Sequence, residues 1–194
     1  MLLRTVILCL VAMPYAALSQ VHSLTLGFDV NSPYGLSEPW FTIRNGLLRC
    51  DELQTVAERP DAKTATAEAT NKGGQLPDLA KIQKALGESG AGATLRGVEA
   101  TIEGELVLAQ DKWMLRLAGK EIPLLPLTEL VQQERKRPKL ATAEELGAFE
   151  RLTRSPNRGK RWRVTGPLRW QSALDMEVRT FERPKQLNNS QGKL

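Results

Sequence analysis

"VEATIEGELVLA", residues 98–109, decides how this 194-residue chain is read. Val98, Ala100, Ile102, Gly104, Leu106 and Leu108 fall on one side of an extended chain, and Glu99, Thr101, Glu103 and Glu105 fall on the other. A period of two marks a strand with one face in water, because successive side chains point to opposite faces. "AQDK" then turns the chain and "WMLRL" returns it. Further on, "KRWRVTGPLRWQSALDMEVRTF" repeats the skeleton: Ile102, Gly104, Leu106 and Met114 correspond to Val164, Gly166, Leu168 and Met176. The inward set of this second ribbon is Trp162, Val164, Gly166, Leu168 and Trp170, with Leu174, Met176 and Val178 on its return strand.

A lone hairpin leaves its apolar face wet and is not stable. Two such hairpins facing each other remove that surface from water, and a helix between them closes the open end. The central glycine of each copy fits a sharp bend or close approach in a small barrel. "GKEIPLLPL" extends the sheet or wraps its edge, since Pro123 and Pro126 argue against a central strand. One helix is expected over Leu127–Arg135. A second opens with a capping box, Thr142 three residues before Glu145, and carries Leu146, Phe149 and Leu152 on one stripe until "SPNRG" ends it. The order strand, strand, Pro-rich strand, helix, strand, strand resembles an OB-like partly open barrel. The expected class is therefore mainly β with one to three short helices (α+β), a small OB-like barrel built from two similar hairpins.

Upstream, Leu24, Leu26, Phe28 and Val30 alternate with polar residues and read as a strand, and "NSPYG" is turn chemistry. "WFTIRNGLLRC" reads as a hairpin with Asn45-Gly46 as its two-residue turn. The stretch 57–97 has few large apolar residues and is expected to be a flexible linker. A short helix interrupts it, capped by Asp78, with Leu79, Ile82 and Leu86 on one face. The division is a signal peptide (1–19), an N-terminal strand and hairpin (20–56), the linker (57–97), a β-rich core domain (98–183) and a disordered tail (184–194).

Arg4, the apolar run "TVILCLVAM" and the small residues Ala17 and Ser19 match a secretory leader, with cleavage expected between Ser19 and Gln20. The run is too short to cross a hydrocarbon core roughly 30 Å thick. A secreted or periplasmic protein without an integral membrane segment is expected. Cys9 leaves with the leader, so Cys50 has no internal disulfide partner and reads as a small buried hydrophobe.

The formal net charge of +5 conceals an asymmetry. Residues 98–134 hold seven acidic and three basic side chains, whereas residues 135–170 hold eleven basic and three acidic. Arg158, Lys160, Arg161, Arg163, Arg169 and Trp170 are the candidate ligand-binding residues, a basic strand face with an aromatic for stacking. Arg135, Lys136, Arg137 and Lys139 are expected nearby. Internal pairing competes with this, because Asp175 and Glu177 are expected outward on the partner strand, opposite the arginines. Pro167 reads as an edge guard.

No catalytic residue, metal site or cofactor is expected. His22, the single histidine, reads as a mobile terminal side chain, and neither a Cys/His cluster nor a G-x-S-x-G elbow occurs. The expected function is an exported, non-catalytic binding or interaction module for an anionic glycan, an envelope polymer or an acidic protein. The alternatives are a structural or assembly subunit of an extracytoplasmic complex and a carboxylate-based hydrolase.

Overall fold

The computed structural model describes residues 20–128, 130–131, 139–170 and 173–184, with backbone alone at 130–131 and 139–140. The expected leader and most of the tail lie outside the described residues. The expected 98–109 ribbon is the C-terminal part of a longer strand, β4 (Ala93–Ala109), whose side chains alternate between buried and half-buried. Gln110 and Asp111, both at positive φ, turn it into β5 (Lys112–Leu117). β6 (Lys120–Pro126) follows, and later β9 (Arg161–Arg169), β10 (Asp175–Val178) and β11 (Thr180–Glu182). β4, β5, β6, β10 and β9 form a five-stranded barrel that closes through a β4–β9 ladder from Val98↔Leu168 to Glu105↔Arg161. β10 pairs parallel with β6, and every other pairing around the barrel is antiparallel. The small OB-like barrel and the mainly β class expected from the sequence are thus what the chain forms.

Both central glycines face the interior and fit the close-approach account. A Cβ at Gly104 would lie 2.7 Å from the Arg116 carbonyl, and one at Gly166 would overlap the Glu177 carbonyl. The two hairpins are not equivalent, however. Val107 faces Met114 across a two-residue turn, whereas Leu168 faces Met176 across a longer loop. That difference is a one-residue slip, which reverses the face of every side chain on the return strand. Met176 is accordingly buried, while Met114 is half-buried and the inward residue of β5 is Leu115.

The prolines do not confine their strands to an edge. β6 pairs with β5 up to Pro123 and with β10 from Leu124 onward. β9 pairs with β11 at Arg163–Thr165 and with β10 from Leu168, so Pro167 stands between two partners and is not an edge guard. A residue without an N–H is tolerated where one ladder ends and the next begins.

The barrel carries a wing. β1 (Gln20–Val30) pairs antiparallel with β4 on one side and with β3 (Thr66–Asn71) on the other, and β2 (Leu53–Val56) adds to β3. β3 lies inside the stretch expected as a linker. Ala65, Ala67 and Ala69 are buried there, so small side chains beside the large ones of β1 suffice for a strand. The expected Asn45-Gly46 hairpin is instead a helix, α1 (Trp40–Leu48), which buries Trp40, Ile43 and Leu47. Gly46 serves helix packing: a Cβ there would lie 2.5 Å from Ser89 Cβ, at the end of α2 (Leu79–Glu88). α2 matches expectation, with Asp78 accepting from the Ala80 and Lys81 N–H groups and Leu79, Ile82 and Leu86 buried.

Leu130–Val131 (β7) pairs with Lys139–Leu140 (β8), which replaces the helix expected from Leu127; Arg135, Lys136 and Arg137 lie outside the described residues. The Thr142 capping box forms, but the expected single helix is split at Gly147 into α3 (Ala143–Leu146) and α4 (Ala148–Leu152). Leu24, Leu26 and Phe28 of the wing join Ile102, Leu106, Trp162, Val164 and Met176 of the barrel in one apolar cluster. Cys50 is buried. No helix among the described residues is long and apolar enough to cross a membrane.

Candidate functional site

α1 and α2 cover one face of the wing through Ile43, Leu47, Ile82 and Leu86. The other face is open, and where it curls toward β9 and β10 it forms a cleft of about 1000 Å³. From the wing the lining includes Thr25, Gly27, Thr64, Thr66 and Glu68; from β4, Arg96, Gly97 and Glu99; from the barrel, Thr128, Pro167, Arg169, Trp170, Asp175, Glu177 and Arg179.

A β-bulge shapes its floor. Gly27 pairs with Gly97 and Phe28 with Leu95, which leaves Arg96 as an extra residue. Bulges re-aim side chains, and Arg96 is swung across the strands. Its Nη2 donates to the Thr64 carbonyl at 2.8 Å and its Nη1 to the Phe28 carbonyl at 3.2 Å. The wing is thereby pinned at the cleft margin.

Buried charge sits on the barrel side. Glu177 is 3 % exposed, ion-pairs with Arg169, and accepts from the Thr128 N–H at 3.0 Å and the Thr128 hydroxyl at 3.2 Å. Arg179 lies 3.0 Å from Glu99 and 3.3 Å from Glu145. The Glu99 contact is an ion pair without hydrogen-bond alignment, and Arg179 Nε has no acceptor among the described residues. The Thr142 N–H donating to Glu145 holds that carboxyl below its ordinary range; Arg179 adds to the effect, against burial.

The sequence-predicted residues are divided between the two ends of β9. Arg169 and Trp170 line the cleft. Arg161 and Arg163 lie on the outer face of the β4–β9 ladder, roughly 26 Å and roughly 20 Å along the strand from Arg169 at about 3.3 Å per residue. There Arg161 bonds Glu103 at 3.0 Å, and Arg163 bonds Glu103 at 3.4 Å and Glu182 at 3.0 Å. Arg158 and Lys160 are exposed beyond that end and line no part of the cleft. Internal pairing therefore engages the ribbon at both ends of β9: Glu103 and Glu182 hold Arg161 and Arg163, while Glu177, as expected, pairs with Arg169, which also faces Asp175 across the ladder. Glu177 was expected on an exposed face and is buried because the segment around Thr128 covers it. His22 is not a mobile terminal group either; it sits in β1 with Nε2 3.1 Å from Glu103. Burial pushes the Glu103 carboxyl up, but hydrogen bonds from Arg161 and His22 outweigh it and hold the group below its ordinary range.

Among the described residues no group of three or more His, Cys, Asp or Glu side chains is placed to hold a metal ion. Sequence reasoning missed the cleft's wing side. Gly27 was visible as a glycine inside a strand pattern, the usual sign of close approach by a ligand or another backbone, whereas Gly97 fell at the end of the stretch expected as a linker. Arg96 gave no signal, because a bulge exists only once two strands are in register. The fold and cleft together define a small β-barrel protein with a winged, polar groove. No family model, curated protein or solved structure matches the chain.

Proposed function

We propose that the chain is a non-catalytic binding module, exported from the cytoplasm, that holds a glycan or glycan-like envelope polymer in the cleft between wing and barrel. The observation that carries this reading is the cleft itself, about 1000 Å³ with Trp170 set among hydroxyl, carboxylate and guanidinium groups. Ligand sites are concave, combine apolar surface with a few placed polar groups, and are commonly of this size. Arg169 and Trp170 are the ribbon residues in position to touch such a ligand. Glu99 and Glu177 are engaged by arginines rather than presented together to solvent, which favours binding over a carboxylate hydrolase.

Retention on an array of immobilised glycans tests the reading. Trp170→Ala is expected to abolish retention, and Arg161→Glu combined with Arg163→Glu to leave it unchanged at moderate salt. The reverse pattern would move the site to the ribbon, and a wild-type chain retained by none of the glycans would remove the proposal. A second reading, an assembly subunit, is favoured by Phe41, 74 % exposed, and Leu48, seven residues on along the same face of α1. A co-purifying protein that withstands high salt and is lost in Phe41→Glu would favour it.

A further inference from the structure

We infer that the cleft takes a neutral, polyhydroxylated ring, a pyranose unit of a glycan, laid over the open backbone at Gly97 beside Arg96. This rests on the cleft being the binding site. Gly97 has no internal reason to be glycine. Its backbone is outside the left-handed region, and a Cβ built there would meet nothing within 4 Å. A glycine inside a strand weakens it by losing packing and gaining chain entropy on unfolding. The space above Gly97 is therefore not filled by the protein; it belongs to the cleft.

Gly27, the cross-strand partner of Gly97, is buried beneath Arg96, whose Nη2 and Nε lie 3.2 Å and 3.5 Å from where a Cβ would stand. The result is one open backbone position at Gly97, beside the Arg96 guanidinium, in a cleft whose lining also holds Thr25, Thr66, Glu99 and Trp170. A pyranose has an apolar C–H face, which suits bare backbone and an indole, and a rim of hydroxyls, which suits carboxylates, guanidiniums and threonines. Carboxylates outnumber guanidiniums in the lining, and Arg169 and Arg179 are already held by Glu177 and Glu99. A polyanion would thus meet a net negative surface, so the cleft favours a neutral ring over the anionic ligand that the basic ribbon suggests.

Titration of the ¹⁵N-labelled chain with chitohexaose, cellohexaose and a dextran oligomer, and separately with dextran sulfate, tests this by NMR. A neutral oligosaccharide is expected to shift the Gly97 amide and the Trp170 indole N–H. Gly97→Val is expected to weaken that binding at least about tenfold, as added bulk in a fitted pocket does, with the melting temperature unchanged or raised. Shifts that survive Gly97→Val, or shifts caused by dextran sulfate alone, would overturn the ring-on-glycine seat while leaving a binding cleft. Cleft resonances that move with none of these sugars would overturn the seat and count against the binding reading as well.

Discussion

Gly97, Gly104 and Gly166 each sit within a strand of the folded chain, yet their surroundings predict opposite responses to one added methyl. At Gly166 a Cβ would overlap the Glu177 carbonyl, and at Gly104 it would press on the Arg116 carbonyl. Backbone cannot yield as a side-chain tip can, so Gly166→Ala is expected to destabilise by about 3 kcal/mol or more and Gly104→Ala by about 1–3 kcal/mol. Gly97→Ala, with open space, is expected to be neutral or to stabilise by up to about 1 kcal/mol. Denaturant midpoints of the three variants check the order. Glu177 makes a second case. Removing its carboxylate takes away an acceptor of the Thr128 N–H and hydroxyl, whereas Arg169, half-exposed, regains water. Glu177→Ala should therefore cost about 1–3 kcal/mol, less than breaking a pair buried on both sides. Of these residues the sequence showed the glycines but not their differences, since each depends on which backbone crosses it. The prolines misled for a related reason: Pro123 and Pro167 stand where a strand changes neighbour, and no local pattern announces such a change.

Elements were legible where the pattern was long and wrong where a tertiary contact decided. β4 and β9 declared themselves by period two, and α2 by its Asp78 cap and its 3–4 spacing. α1 did not, because Asn45-Gly46 is the preferred hairpin dipeptide and only contact with α2 shows that Gly46 is needed for helix packing. β3 reads as a linker by composition because its neighbours, Leu24, Leu26 and Phe28, supply the bulk. Asp78→Ala should cost about 1 kcal/mol, the usual value of an N-cap, checked by the same denaturation. The β4–β9 ladder yields a pH dependence. The folded Glu103 carboxyl titrates below its ordinary range, so the unfolded chain takes up the proton first as pH falls. Its stabilisation is present above the unfolded carboxylate pKa of about 4.3 and is lost as pH falls through the folded value. Melting temperatures from pH 6 to 3 should show wild type converging on Glu103→Gln at the acid end. A constant gap between the two would count against the assignment.

At the scale of the molecule, the barrel was readable because both its hairpins carry their own alternation. The cleft was not, because it is a property of the wing and barrel together. β4 belongs to both: its first half pairs with β1 and β9, its second with β5. Loosening either half should loosen the other, so unfolding is expected as one transition, coincident by far-UV and near-UV circular dichroism. Leu26→Ala in the wing and Val164→Ala in the barrel should each shift that single transition; two separable steps would refute the coupling. The same strand also dictates an order of assembly. β4 and β5 meet across a two-residue turn within microseconds, but the β4–β9 seam waits for Arg161–Arg169 to be synthesised and brought back across an intervening segment. Until then one long margin of β4 stands without its neighbour, a template for stray strands of other copies. A chain arrested before β9 is for this reason expected to clump more readily than the full chain, and the pairing of β9 with β4 is the one that ends the hazard.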